Sequence, residues 1–177
     1  LVEEGFDMAV RNGTLQDSSV LVARKLGEHR MVLCASPDYL QKRGHPDAVD
    51  DLSRHAAINY LRAGRVLSWQ LMDSDGTPRT FTPRSSLNMD DLQAICDAAV
   101  TGHGIAWLPC WMAIKEIHQG KLVPLFKQAP DVHFDVHAVW QQTPYLPLRV
   151  RMAIDALASR LPAAMSLDIP APIKKPR

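Results

Sequence analysis

The chain has 177 residues, of which 46% are apolar and 22% are charged, so it is typical of a globular protein with one domain or two small lobes. Its 20 Lys and Arg residues against 19 Asp and Glu residues give a net charge of +1, which does not favour a bare nucleic-acid-binding module. The longest apolar runs are far shorter than the ~20 residues that span a bilayer, and no signal-peptide pattern is visible. Because the chain opens without Met and partway through an element, we expect it to be a fragment of a longer polypeptide.

Short strand and helix signals alternate along the chain. Runs of β-branched and other apolar residues between turn residues predict strands over 7–11, 20–35, 56–61, 67–71, 80–82, 104–108, 122–126 and 132–140. Capping residues and helical spacing of apolar side chains predict helices over 37–42, 46–55, 89–101, 109–117 and 148–161. The sequence Gly27-Glu28-His29 interrupts the second strand and predicts two strands with a jog between them. This alternation, with one hairpin around Asp75-Gly76, predicts an α/β fold with a mixed sheet.

The helix that follows residue 88 has the clearest signals. Asn88 is predicted to cap it, with Asp91 three residues later as in a capping box and Gly102 at its end. The chain ends in the proline-rich segment 162–177, which we expect to be a flexible tail.

The histidines and cysteines do not form a recognisable metal site. His133 and His137 are four residues apart on a predicted strand, which separates them by about 13 Å, too far for one ion without ligands from other elements. We therefore expect no metal. Cys34, Cys96 and Cys110 are odd in number and lie in apolar surroundings, which indicates reduced thiols rather than a disulfide framework.

One enzymatic alternative stays open at this point. Cys110 falls in the first turn of a predicted helix, where the helix dipole stabilises a thiolate, and His103 is a candidate base for it. No nucleophile elbow and no phosphate-binding glycine loop support a catalytic function. We therefore expect a protein that is not an enzyme.

Several predicted strands lead directly into helix starts. In open α/β sheets the carboxyl ends of such strands converge on one edge, where loop groups hold ligands. The N–H groups at the start of the 89–101 helix favour an anion, whereas Asp90 and Asp91 in its first turn disfavour a strongly anionic one. A weak acid or a neutral aromatic compound therefore fits this edge.

A series of ordered motifs extends along most of the chain. They are VEEGFDMAVRNG (2–13), DSSVLVARKL (17–26), VLCASPDYL (32–40), Gly44, Pro46, Asp51-Leu52, His55, Asn88-Met89-Asp90, AAVTGHGIAWLP (98–109) and GKLVP (120–124). Each motif alone is weak, but their order and spacing over residues 1–161 closely resemble the effector-binding domain of LysR-type transcriptional regulators.

The resemblance implies an α/β, two-lobed fold like that of the type 2 periplasmic binding proteins, with mixed sheets flanked by helices and an effector site between the lobes. It implies that the N-terminal DNA-binding domain and the start of the first lobe are absent from this chain. The implied division is 1–30 with 141–161 as an incomplete lobe I, 31–140 as lobe II, and 162–177 as the tail.

The resemblance also implies which residues face the effector. These are Arg11 and Gly13 from lobe I, and Tyr60, Asn88, Met89, Leu108 and Pro109 from lobe II. One departure from the family pattern is Trp140-Gln141-Gln142, which stands where many members have Pro or Tyr-Pro.

We therefore expect the effector-sensing domain of a cytoplasmic, DNA-binding transcription regulator. Such a protein would bind a small molecule, assemble as a homodimer or homotetramer, and contact DNA only through the missing domain. It would need no cofactor and would not enter a membrane. The alternative is a solute-binding protein of a transporter, which shares the fold class but would need a signal peptide and tends to lack reduced cysteines.

Overall fold

The computed structural model describes residues 5–15, 17–83 and 85–165 of the chain. The strands within these residues are β1 (Met8–Asn12), β2 (Leu21–Ala35), β3 (Ala57–Arg62), β4 (Arg65–Val66), β5 (Trp69–Met72), β6 (Pro78–Phe81), β7 (Ser85–Met89), β8 (Ile105–Pro109), β9 (Val123–Pro124) and β10 (His133–Gln141). The helices are α1 (Pro37–Arg43), a 3₁₀-helix (Val49–Arg54), α2 (Leu92–Val100), α3 (Cys110–His118) and α4 (Leu148–Met165). The described residues divide into two compact units, with 5–15, 17–30 and 133–165 in unit 1, and 31–83 and 85–132 in unit 2.

Unit 1 is an antiparallel sheet with one long helix packed on it. β10 lies between β1 and the first part of β2. Val136 and Ala138 of β10 point to the same face, because side chains along a strand alternate between faces. They are buried in one cluster with Val150 and Ile154 of α4. This apolar stripe of α4 fixes the helix on the sheet.

β2 is one continuous strand of 15 residues, so the prediction of two strands is wrong. Val136 of β10 pairs with Gly27 and the next residue, His137, pairs with Lys25, which leaves Leu26 as an extra residue. A β-bulge of this kind bends and twists a strand without ending it. The glycine that interrupts the sequence pattern therefore marks an irregularity in the ladder rather than a break.

Unit 2 is built on a mixed sheet with three parallel strands. β3 pairs in parallel with β7 on one side and with β8 on the other. The second part of β2 pairs antiparallel with β8, and the short β9 pairs with β2. The hairpin predicted around Asp75-Gly76 is confirmed as β5–β6, a separate two-stranded sheet.

Each face of the unit 2 sheet carries its own hydrophobic core. Val32, Ile58 and Leu108 pack against α2 and α3 on one face. Leu33 and Ala57, their neighbours along the strands, pack against α1, the 3₁₀-helix and β5 on the other. A sheet covered on both faces explains why its strands are short apolar runs in the sequence.

The signals around α1 are confirmed. Ser36 Oγ accepts a hydrogen bond from the Tyr39 N–H at 3.2 Å, and Pro37 is the first helical residue. Gly44 follows the helix with φ +84° and donates its N–H to the Leu40 carbonyl. A positive φ is a conformation that glycine adopts without steric cost, so this residue ends the helix.

The predicted start of α2 is wrong. The helix begins at Leu92 and its N-cap is Asp91, whose carboxylate accepts a hydrogen bond from the Ala94 N–H at 2.8 Å. Asn88, the predicted cap, lies instead on β7 as the Cα partner of Asn59. Both positions carry good capping side chains, but pairing with β3 draws residues 85–89 into the sheet.

The C-terminal boundaries also differ from the predicted ones. α4 continues through Pro162 to Met165, so residues 162–165 are helical rather than part of a tail. The rest of the predicted tail, 166–177, lies outside the described residues. Residues 133–140 belong to unit 1, because β10 pairs along its length with β1 and β2, whereas the predicted boundary placed them in lobe II.

Candidate functional site

Candidate binding residues of unit 2 lie at the carboxyl ends of its parallel strands. The β3–β7 register makes Asn59 the Cα partner of Asn88, and Tyr60 the partner of Met89. Asn88 is exposed, and Tyr60 and Met89 are half-buried. The structure thus brings three of the predicted residues to one edge of the sheet, with Tyr60 and Met89 on the face covered by α2 and α3 and Asn88 on the opposite face. Open α/β sheets hold ligands at such an edge.

β8 brings Leu108 and Pro109 to the same edge. Ile58 of β3 is the Cα partner of Ala106, two residues before Leu108 on the parallel strand β8. Leu108 is fully buried in the core against α2 and α3, and Pro109 is buried as well. A ligand at this edge would therefore meet the backbone of residue 108 rather than its side chain.

The two helices that start near this edge differ in their caps. At the N-terminus of α2 the carboxylate of Asp91 accepts the Ala94 N–H, and its negative charge lowers the attraction of this helix start for a strongly anionic ligand. α3 follows Pro109 directly, with no side-chain cap and no acidic residue in its first turn. The positive end of the α3 dipole therefore has no carboxylate from its own first turn, whereas that of α2 has Asp91.

In unit 1, Arg11 and Gly13 lie at the carboxyl end of β1. Arg11 is exposed and is the Cα partner of His137 on β10. Gly13 has φ +84° and donates its N–H to the Asp135 carbonyl at 2.8 Å. This turn directs the following residues over the start of β10.

A pocket of about 430 Å³ lies in unit 1 between this turn and β10. Its volume falls within the range of small-molecule sites. The lining residues are Gly13, Thr14, Leu15, His133, Phe134, Asp135 and His137. Of these lining residues, only Gly13 is among the predicted effector residues. The others could not be found from local signals, because residues 13–15 approach residues 133–137 only through a long-range strand register.

Charged side chains around this pocket are paired with one another. Lys25 Nζ lies 2.6 Å from Asp135 Oδ1 and 3.5 Å from Glu28 Oε2, and His133 Nδ1 lies 3.5 Å from Glu28 Oε1. The hydrogen bond from Lys25 lowers the pKa of Asp135, which is therefore ionised at neutral pH. His137 Nδ1 is buried without a hydrogen-bond partner among the described residues.

Metal ligation and thiol chemistry find no support in this part of the chain. Within residues 5–15, 17–83 and 85–165, no three His, Cys, Asp or Glu side chains are placed to hold a metal ion. The three cysteines are reduced and buried, and burial raises the pKa of Cys34 and raises that of Cys96 to about 11. Cys110, the nucleophile of the enzymatic alternative, is 0% exposed, so a substrate cannot reach its thiol. None of the helices described here is long and apolar enough to cross a membrane.

An α/β fold with polar and aromatic side chains gathered at the carboxyl edge of parallel strands is the arrangement of a small-molecule-binding domain. The sequence matches the LysR substrate binding domain over residues 1–162. The chain belongs to this family, which is the effector-binding domain of LysR-type transcriptional regulators, so the predicted resemblance is confirmed.

Curated relatives are regulators of the same type. The chain is 32% identical to the HTH-type transcriptional regulator CrgA of Neisseria meningitidis (serogroup C, strain 8013) over 163 residues, which cover 91% of this chain and 53% of CrgA. It is 32% identical to the HTH-type transcriptional activator AaeR of Escherichia coli (strain K12) over 158 residues, covering 89% of this chain and 50% of AaeR. The chain therefore spans about half the length of these relatives.

Solved structures agree with this assignment. The CrgA regulatory domain from Neisseria meningitidis superimposes with a TM-score of 0.76 at 31% identity, covering 91% of this chain and 78% of that one. The full-length virulence activator AphB of Vibrio cholerae gives a TM-score of 0.76 at 28% identity, covering 88% and 52%. The expected α/β fold of the type 2 periplasmic-binding-protein class is confirmed.

Proposed function

We propose that this chain is the effector-sensing domain of a bacterial, cytoplasmic LysR-type transcription regulator. The observation that carries the proposal is the family match across residues 1–162. The whole regulator would contact DNA through a domain that precedes the matched region, and it would act as a homodimer or homotetramer. It would have no enzymatic activity and no cofactor.

We propose further that the effector binds between two lobes and contacts residues from both units. Support comes from the exposure of Asn88 at the edge of the parallel strands and from the half-buried Tyr60 and Met89 beside it. In unit 1, support comes from the exposed Arg11 and from the pocket at Gly13. Leu108 and Pro109 would contribute their backbone.

The side chains at these positions fit a weak organic acid with an aromatic or apolar body. Arg11 offers a guanidinium, whose planar donors pair with a carboxylate in two parallel hydrogen bonds. Tyr60 and Met89 offer an aromatic ring and a thioether, both of which pack well against a ring. Benzoate is the simplest compound of this chemistry.

An effector changes DNA binding only through its different affinity for two conformations of the regulator. A coupling free energy of about 1–3 kcal/mol corresponds to a change of about 5- to 150-fold in the affinity for DNA. Removing an effector contact therefore reduces the fold change in DNA affinity that the effector causes, without weakening the DNA contacts themselves.

The test measures the affinity of the regulator that contains this chain for its own promoter DNA, with and without benzoate. Benzamide serves as the neutral analogue. Arg11→Ala and Asn88→Ala should abolish the benzoate effect and leave the affinity for DNA without benzoate nearly unchanged. Arg151→Ala, an exposed arginine on α4, is the matched control and should respond like the wild type. A full benzoate response in both site variants would refute the site.

A further inference from the structure

The charges around the unit 1 pocket leave Arg11 without a partner. Asp135 is paired with Lys25 at 2.6 Å. The carboxylate of Glu28 lies 3.5 Å from the side-chain nitrogens of Lys25 and His133. The exposed guanidinium of Arg11 makes no hydrogen bond or ion pair with any residue that the structure describes. A ligand with one negative charge would supply the partner that these residues do not.

His137 lies next to Arg11 on the neighbouring strand. The two residues are Cα partners in the antiparallel pair of β1 and β10. Directly opposite residues of such a pair point to the same face of the sheet, with Cβ atoms about 4.5–5.5 Å apart. His137 lines the pocket, on the face opposite to Val136 and Ala138, which pack against α4. A guanidinium and an imidazole therefore lie side by side at the wall of this pocket.

The two ring nitrogens of His137 have different surroundings. Nδ1 is buried and has no hydrogen-bond partner among the residues described. Nε2 is not buried in this way, and it too makes no hydrogen bond within the described part of the chain. A neutral imidazole carries one proton, and proteins tolerate a buried N–H without an acceptor less well than a buried lone pair without a donor. The proton therefore belongs on Nε2, where it can be donated to water or to a ligand in the pocket.

We propose that the unit 1 pocket binds the carboxylate of the effector, with His137 as a binding residue that donates its Nε2–H while Arg11 supplies the positive charge. This role rests on the proposed function, in which a small organic acid is the effector. Because Lys25 is already neutralised by Asp135 and His137 donates as a neutral ring, the pocket suits a ligand group with a single negative charge.

The first measurement is the tautomer of His137 in this chain without ligand, from ¹H–¹⁵N correlation spectra of the imidazole rings. The signals of His137 are identified among those of the seven histidines by their absence from the spectrum of His137→Gln. The proton should be found on Nε2 at neutral pH. A proton on Nδ1, or a ring that carries both protons, would overturn the proposal.

The same spectra recorded with benzoate test the contact itself. Benzoate should shift the Nε2–H signal of His137 and slow the exchange of this proton with water. A signal that benzoate leaves unchanged would overturn the proposal, whether or not Asn88 and Met89 respond. A response at Asn88 and Met89 alone would leave the proposed function in place without this pocket, so the two can fail separately.

The last measurement is the affinity of this chain for benzoate, by calorimetric titration. His137→Phe keeps a ring and removes the donor, so it should weaken binding about 10- to 150-fold, the range for a hydrogen bond to a charged group. His137→Gln keeps a donor near the position of Nε2 and should recover most of this loss. His45→Phe, at an exposed histidine of unit 2, is the matched control and should bind like the wild type.

Thermal unfolding shows that the variants are folded. The Tm of His137→Phe should not fall, because the change removes a buried nitrogen that has no partner among the residues described. Equal benzoate affinity in His137→Phe and the wild type would overturn the proposal, as would an equal loss of affinity in His137→Phe and His137→Gln. The spectra of the wild type decide the matter independently of how the variants fold.

Discussion

Gly104 allows the start of β8 to lie close to the start of β3, at the end of these strands opposite the candidate site of unit 2. The N–H of Ile105 donates to the Ala56 carbonyl at 2.8 Å. A Cβ on Gly104 would lie 2.6 Å from this oxygen and 3.0 Å from its carbon. Ordinary van der Waals contact begins near 3.4 Å, so alanine would push the two segments apart by about 0.8 Å.

The expected effect of Gly104→Ala follows from these distances. The Ala56 carbonyl directly precedes β3 and is held by the Ile105 N–H, so it does not rotate away and overpacking costs about 1–3 kcal/mol. Weakening the hydrogen bond between Ile105 and Ala56 adds about 1 kcal/mol. The free energy of unfolding should fall by about 2–4 kcal/mol, and Tm of a chain of this size by about 4–16 °C. The displaced strand carries Leu108 and Pro109, so benzoate affinity should fall as well.

Gly27→Ala is the matched control for this prediction. A Cβ there would also make a short contact, 2.9 Å, but with the terminal methyl carbon of Met165, the far end of a flexible side chain. That group can move to another rotamer, so the cost should stay below about 1 kcal/mol. Both variants are compared with the wild type by calorimetry. Equal Tm values for Gly104→Ala and Gly27→Ala would show that contact with a backbone atom does not determine how much stability is lost.

Two further predictions concern buried polar groups. Tyr39 Oη accepts the Ala56 N–H at 2.8 Å, so Tyr39→Phe should lower the free energy of unfolding by about 1–3 kcal/mol in urea denaturation, and an unchanged midpoint would contradict this. His29 is 4% exposed and stacks on Phe134, and burial lowers its pKa below the usual 6.5, so the native state favours the neutral ring. The unfolded chain then binds more protons, so the contribution of His29 to stability is fully present above about pH 6.5 and is lost as the pH falls below it. His29→Phe should reduce this loss of stability at low pH. Denaturation curves measured between about pH 7.5 and about pH 5, which roughly bracket the histidine pKa, test this. Equal pH dependence in both proteins would show that another group is responsible.

Elements with local signals could be predicted from the sequence. The boundaries of α1 depend on Ser36, Pro37 and Gly44, and each acts on neighbouring backbone groups, so sequence spacing was sufficient. The same holds for the β5–β6 hairpin, where residues around Gly76 form the turn. Alternation of strands and helices then predicts the α/β class without knowledge of the pairing.

Features that depend on distant pairing could not be predicted in this way. Asn88 has a side chain suited to capping a helix, but it pairs with Asn59 on another strand, and that contact decides its structure. The glycine at position 27 resembles a strand break, but the register with β10 makes it part of a bulge. The burial of Leu108 likewise depends on two helices that pack over β8, so a residue expected to face an effector became a core residue.

Binding of a small organic acid at the predicted residues of the two units is tested by titrating the ¹⁵N-labelled chain with benzoate and following ¹H–¹⁵N correlation spectra. We expect saturable shifts at Arg11, Gly13, Tyr60, Asn88 and Met89, and weaker ones with benzamide. Saturable shifts confined to the β5–β6 hairpin or to the outer face of α4, or a response to benzamide equal to that with benzoate, would contradict it.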